Sequence, residues 1–217
     1  MKHFLIPIVV AGSLLAYAQA SQPLSGETKG RTPSTTMCVL IDNSGSMSDK
    51  RAEVIAASLA LVRASKAHDE VGIVNFNDEA LNGLPDGEGF TRDVKEMEEA
   101  LTHIDSRGGS AMRDAVRTSI DQVKQAAHND RKILVLVTDG SDTSSTVTQE
   151  QLLGKVKNSG VRVYAIGLLN EADLGQAAAR LALERLAEAS GGRAYYPKDL
   201  AELGSISQEI ANGIRKQ

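Results

Sequence analysis

Five aliphatic residues in succession, Ile133-Leu134-Val135-Leu136-Val137, lie between Lys132 and Thr138. A strand with one wet face alternates apolar and polar residues, whereas an unbroken run of this kind fits a strand buried on both faces. Such a strand needs a helical layer above and below it, and the chain supplies both. Strand-like runs at 37–41, 71–76 and 161–167, a short one at 194–196 and a weaker edge strand at 80–84 alternate with helical segments. The helices are expected over 50–65, 93–104, 112–127, 174–189 and 200–214. One more should start at the capping-box pair Thr148 and Gln151 and stop at Gly160. This alternation predicts an α/β domain with a largely parallel sheet covered on both faces.

The beginning of the chain reads differently. Residues 1–20, MKHFLIPIVVAGSLLAYAQA, carry Lys2, an apolar stretch from Phe4 to about Ala18, and a small-x-small ending, Ala18-Gln19-Ala20. That is the pattern of a secretory signal peptide cleaved after Ala20. Pro7 and Gly12 interrupt the stretch, which is short of the ~20 apolar residues that span a bilayer. Residues 21–36 are rich in Ser, Thr, Gly and Pro and read as a flexible linker. The folded domain is expected over 37–217, secreted or periplasmic, without a transmembrane segment in the mature chain.

Charge and cysteine usage narrow the possible functions. A formal net charge of −4, without a basic run, gives no sign of nucleic-acid binding. Cys38 is the single cysteine, so no internal disulfide is possible, and its place within the first strand marks it as a small buried hydrophobe.

Where the first strand ends, the chain reads Asp42-Asn43-Ser44-Gly45-Ser46: one carboxylate and two hydroxyls at alternate positions. Ligands of open parallel sheets bind at the carboxyl ends of the strands, near the switch in strand order. Two further segments belong to that rim. Ser106-Arg107-Gly108-Gly109-Ser110 precedes a helix, and Thr138-Asp139-Gly140-Ser141-Asp142 follows the aliphatic strand. Converging, they would present Asp42, Ser44, Ser46, Ser110 and Asp139 around one point. Two carboxylates and three hydroxyls form a hard oxygen set, suited to magnesium, manganese or calcium rather than zinc. They also leave a coordination position for a partner's carboxylate.

Catalytic patterns are missing. A phosphoaspartate nucleophile needs a second aspartate two positions on, where Ser44 stands. His68, His103 and His128 fall at or just past helix ends, where a helix dipole favours a partly charged imidazole, and not at strand ends as a Ser-His-Asp triad requires. No GxxxxGK[ST] phosphate loop is present.

These segments resemble von Willebrand factor type A domains. DNSGS at 42–46 matches the DxSxS motif, and Ser110 and Asp139 fall at the other two stations of the family's metal-ion-dependent adhesion site. GGSAMRDAV at 108–116 resembles the GGTALYDAI type of segment. VTDGSDTSS at 137–145 and SGGRAYYPKDL at 190–200 are similar to the bacterial secreted subgroup. The likeness runs from 37 to 214.

The resemblance implies a doubly wound, mostly parallel sheet of about six strands with helices on both faces. It further implies a divalent cation, magnesium first and manganese or calcium otherwise, held by Asp42, Ser44, Ser46, Ser110 and Asp139. A protein partner would supply an Asp or Glu to that ion, giving adhesion or protein–protein interaction and no enzymatic activity. One departure is Ser110, where the family usually has threonine: the donor oxygen stays, the methyl that fixes its rotamer is lost. Asn43, Gly45 and Met47 are expected to be architectural. Asp114 and Asp142 either stand behind the ligands or solvate a helix start and a loop. The loop 77–90 either shapes specificity or is a plain solvated hairpin. The alternative reading is a metal-free structural or assembly scaffold of the same fold; a hydrolase ranks below it.

Overall fold

A computed structural model describes residues 34–84, 89–103, 106–169 and 175–213. The expected signal peptide, and the linker as far as residue 33, lie outside the described residues. In chain order the elements are β1 (Thr35–Asp42), α1 (Arg51–Ala64), β2 (Glu70–Phe76), β3 (Ala80–Asn82), α2 (Val94–Ala100), α3 (Met112–Ala126) and β4 (Arg131–Thr138). They continue with α4 (Gln149–Lys157), β5 (Arg162–Gly167), α5 (Gln176–Ala189), β6 (Ala194–Tyr195) and α6 (Leu200–Gly213).

The strands form one six-stranded sheet in the order β3-β2-β1-β4-β5-β6. Neighbours run parallel except β3, which pairs antiparallel with β2. The chain winds outward from β1 to β3, returns to the centre at β4 and winds the other way. The winding reverses between β1 and β4, where a parallel sheet opens its binding crevice. The sheet tapers: its outer strands, β3 and β6, have 3 and 2 residues.

The two-sided burial read from the aliphatic run is present. Ile133, Val135 and Val137 of β4, with Val39 and Ile41 of β1, pack against α1, α2 and α6. Leu134 and Leu136, with Cys38 and Leu40, pack against α3, α4 and α5. Successive side chains of a strand point to opposite faces, so one run serves two cores. Each fully buried aliphatic side chain contributes roughly 1.5–3 kcal/mol. Cys38 is fully buried, and burial pushes its thiol up to about 12.

Several boundaries differ from the sequence reading, each for a local reason. β1 starts at Thr35, earlier than its apolar run, because Thr35 N donates to Asp69 Oδ1 (2.8 Å) and Thr36 Oγ1 to Glu70 Oε1 (2.5 Å). Those bonds let two polar residues enter a buried strand. The helix expected from residue 50 begins at Arg51, after a 3-10 turn over Gly45–Lys50. The one expected to reach residue 104 ends at Ala100 and tightens into a 3-10 turn, Leu101–His103; residue 104 lies outside the described residues. The capping box of Thr148 and Gln151 forms in both directions. Residues 85–88 and 170–174, where part of a loop and the start of a helix were expected, also lie outside the described residues, as does 214. No described helix is long and apolar enough to cross a membrane.

Candidate metal centre

Asp42 is the last residue of β1 and is fully buried. Its Oδ1 accepts from Ser44 N (3.0 Å), a local turn that aspartate readily makes. Its Oδ2 accepts from Thr138 Oγ1 (2.5 Å) at the end of β4 and lies 3.4 Å from Ser110 Oγ. One carboxylate is therefore reached from three separated segments. Ser44 Oγ lies 3.2 Å from Ser46 Oγ.

The backbone explains why these segments meet. Asn43 N donates to Phe76 O (2.7 Å), Arg107 N to Asn43 O (2.9 Å) and Gly45 N to Gly108 O (3.0 Å). The Asn43 side chain also accepts from Ser106 N, which helps hold Ser106 at a φ of 44°, the single non-glycine residue at positive φ among the described residues. Met47 is fully buried beneath the turn. Asn43 and Met47 are thus architectural, as their positions implied.

Ser110 stands just before α3. Its N donates to Thr143 Oγ1 (3.0 Å) and its Oγ to Ser141 O (2.9 Å), while its carbonyl accepts from Thr143 N (2.8 Å) and Ser144 N (2.9 Å). A side chain at Gly109 would displace its neighbours: a Cβ there would lie 2.5 Å from Ser144 Oγ and 2.6 Å from Asp78 Oδ1. Asp78 accepts from both Gly109 N (3.1 Å) and Ser144 Oγ (2.8 Å), tying the β2–β3 turn to this corner.

Asp139 follows β4. Its Oδ1 accepts from Ser141 N (2.9 Å), and its Oδ2 lies 3.9 Å from Lys50 Nζ. With Ser46, Ser141 and Asp142 it lines a groove of about 450 Å³ whose far wall is the start of α5. All five candidate ligands therefore stand at one rim of the sheet. Polar contacts connect Asp42, Ser44, Ser46 and Ser110, while Asp139 shares the groove with Ser46 and acts on Asp42 through its charge.

The electrostatics favour a cation. Burial raises the Asp42 carboxyl to about 6; the hydrogen bonds from Ser44 and Thr138 offset part of that rise, and the charge of Asp139 adds to it. A buried carboxylate beside a second one is expensive without a counter-charge. Among the described residues no group of three His, Cys, Asp or Glu side chains could hold an ion, so an ion here needs other oxygens beside the two carboxylates, and the hydroxyls of Ser44, Ser46 and Ser110 stand at the same rim. Two carboxylates and three hydroxyls fit a hard divalent ion such as magnesium.

The two neighbouring aspartates have structural work. Asp142 accepts from Arg113 N (2.9 Å) and Ser145 Oγ (2.9 Å) and pairs with the Arg113 guanidinium. Asp114 accepts from Thr146 N, Thr146 Oγ1 and Val147 N (2.8–3.0 Å). Both staple the start of α3 to the β4–α4 loop. The sequence reading did not find Thr138, Lys50 or Asp78. A hydroxyl closing a buried strand beside an aspartate was the available signal for Thr138; nothing local marked the other two. His128 serves the other end of the sheet, its Nδ1 3.0 Å from Glu70 Oε2.

The family model of the von Willebrand factor type A domain matches residues 37–209. Calcium-activated chloride channel regulator 1 of Mus musculus is 29% identical over 185 residues, which is 81% of this chain and 18% of that protein. The chain thus spans less than a fifth of that relative's length. A solved von Willebrand factor type A structure from Catenulispora acidiphila is 21% identical with a TM-score of 0.68, covering 84% of this chain and 43% of that one. The von Willebrand factor domain of the type V pili tip protein Mfa5 from Porphyromonas gingivalis is 14% identical with a TM-score of 0.68, covering 87% and 98%.

Proposed function

Because the chain belongs to the von Willebrand factor type A domain family, we propose that it is an exported, non-catalytic binding domain that engages a protein partner through a divalent cation. Asp42, Ser44, Ser46, Ser110 and Asp139 hold the ion, and an Asp or Glu of the partner completes its coordination. Magnesium is the first choice, since hydroxyls and two carboxylates leave room for the waters it keeps. The observation that carries the reading is the buried Asp42 carboxylate, contacted from the β1 turn, the Ser110 loop and Thr138 together. Two formal carboxylates leave a doubly charged ion able to attract a third. One structural neighbour is a domain of a type V pili tip protein, which agrees with an adhesive role outside the cell, as does the leader-like segment at 1–20.

The test is calorimetric titration of the mature chain with magnesium, manganese and calcium, beside melting curves with and without chelator. Binding and a chelator-reversible rise in Tm are expected, both lost in Asp42→Ala while the fold persists. Affinity capture from the native envelope or medium, with and without chelator, then tests the partner.

A second reading rests on Lys50. Its ammonium already gives Asp139 a positive neighbour, as a metal-free scaffold would need. No binding of any of the three ions at millimolar concentration would favour it.

A further inference from the structure

A groove of about 430 Å³ opens at the opposite end of the sheet, lined by Arg131, Lys132, Lys157 and Arg162 with Asp130 as its single carboxylate. β4 is 8 residues long, so at roughly 3.3 Å per residue this groove lies about 25 Å from the Asp139 rim. Its cations come from three elements. Arg131 and Lys132 open β4, Arg162 opens β5 beside them in the register Ile133↔Arg162, and Lys157 ends α4.

A chain with a net charge of −4 has gathered four cations around one concavity. Part of this has a local cause. Lys157 lies in the last turn of α4, where the helix dipole favours a cation. Lys132 Nζ donates to Asn129 O (3.0 Å). Neither cause extends to Arg162. Among the described residues, neither Lys157 nor Arg162 is paired with a carboxylate, whereas Lys155, in the same helical turn as Lys157, is paired with Asp121. Arg162 is registered with Ile133 and not with another cation, so the repulsion is that of Lys132, Lys157 and Arg162 around one groove, and an anion seated there relieves it.

The lining also narrows the kind of anion. No aromatic residue borders the groove, so a nucleobase finds no ring to stack on. The apolar floor, Ile133, Val156 and Val161, is already buried. Recognition is therefore ionic, and cations dispersed over three elements suit a row of carboxylates better than one compact phosphate. We propose that this groove binds an acidic segment of a partner protein, a run of Asp and Glu side chains, independently of the metal centre.

The experiment measures fluorescence anisotropy of a labelled octaglutamate peptide with the mature chain, in metal-free buffer and at two salt concentrations. Binding is expected to weaken with salt, to stay unchanged in Asp42→Ala, and to fall about tenfold in the pair Lys157→Gln and Arg162→Gln, as loss of two partly exposed ion pairs implies. Lys157 is exposed, so Lys157→Gln alone keeps the test meaningful if the pair misfolds; it should lower binding about threefold. Absence of binding, or binding unaffected by these substitutions, overturns the proposal. Loss in Asp42→Ala would show that binding depends on the opposite rim of the sheet and not on this groove. Equal competition by inorganic phosphate would reduce the groove to a simple anion site, and equal binding of a labelled oligonucleotide would make it a general polyanion surface. Each of these three results also overturns the assignment. Because the assay contains no divalent ion, its failure leaves the metal-dependent reading untouched, and the converse holds.

Discussion

Lys50 Nζ stands 3.9 Å from Asp139 Oδ2, with the two side chains 22% and 9% exposed. The ammonium is thus a built-in competitor for the ion that Asp139 is proposed to hold. Replacing it should remove a repulsion from the incoming cation, discounted for its partial exposure to water. Lys50→Met is predicted to tighten magnesium binding about three- to tenfold by calorimetry while slightly lowering the Tm of the metal-free chain. Unchanged affinity would dismiss Lys50 as a competitor.

Thr138 donates to Asp42 Oδ2 at 2.5 Å and accepts from Gly140 N at 3.0 Å. In Thr138→Val both partners lose their bond, and the Asp42 carboxylate loses it while buried. Leaving a buried polar group unpaired costs about 1–3 kcal/mol, so urea denaturation should register a loss of that size. Ion affinity should fall as well, because the carboxylate loses a bond that fixes its orientation.

The pH dependence of ion binding follows from Asp42. Its carboxyl titrates at about 6 rather than the ordinary 3.8, and the ion competes with that proton. Affinity should be flat above about pH 6 and fall roughly tenfold per unit below it, with proton release on binding. For the metal-free fold the sign is opposite. Folding binds the proton more tightly than the unfolded chain does, so stability declines as pH rises from 3.8 towards 6. Calorimetry in buffers of different ionisation enthalpy reads the released proton.

Glu70 anchors the other end of β1. It accepts from Thr36 Oγ1 and from His128 N (2.6 Å), with His128 Nδ1 3.0 Å away. Burial alone would raise its carboxyl, but those bonds and the His128 charge outweigh it and hold the group below its ordinary value. The stabilisation is therefore complete above the unfolded carboxyl's range and lost as pH falls through the lowered one. Glu70→Ala should cost about 3 kcal/mol in urea unfolding at neutral pH, since Thr36 Oγ1, His128 N and His128 Nδ1 lose their acceptor, and Glu70→Gln less.

Gly109→Ala places a methyl where Ser144 and Asp78 already stand. The corner gives way by turning the Ser144, Asp78 and Thr143 side chains aside, which breaks the bonds from Ser144 Oγ to Asp78 and from Ser110 N to Thr143 Oγ1. Ion affinity should drop about tenfold, as for a lost hydrogen bond to a charged group, with little change in Tm. Calorimetry beside a melting curve separates the two effects.

The fold was largely legible in the sequence because its determinants are periodic. Ile133 to Val137 required covering on both faces, and Thr148 with Gln151 marked a helix start. The candidate ligands were legible because Asp42, Ser44 and Ser46 are neighbours in the chain, while Ser110 closes one short, glycine-marked loop and Asp139 opens another. What stayed hidden depends on long-range pairing. Thr138 meets Asp42 across 96 positions, and Ser144 meets Asp78 across 66. Thr35 and Thr36 look like linker until Asp69 and Glu70 are brought beside them. Lys50 belongs to a 3-10 turn whose direction no helical periodicity encodes.

The narrow flanks of the sheet bear on how this protein behaves when crowded. Strands of 3 and 2 residues give a foreign chain almost no ladder to extend, which is how natural sheets resist polymerising edge to edge. Many copies could therefore be arrayed side by side, on a surface or in tandem, without fusing into fibrils, and any contact between them would fall to loops and helices.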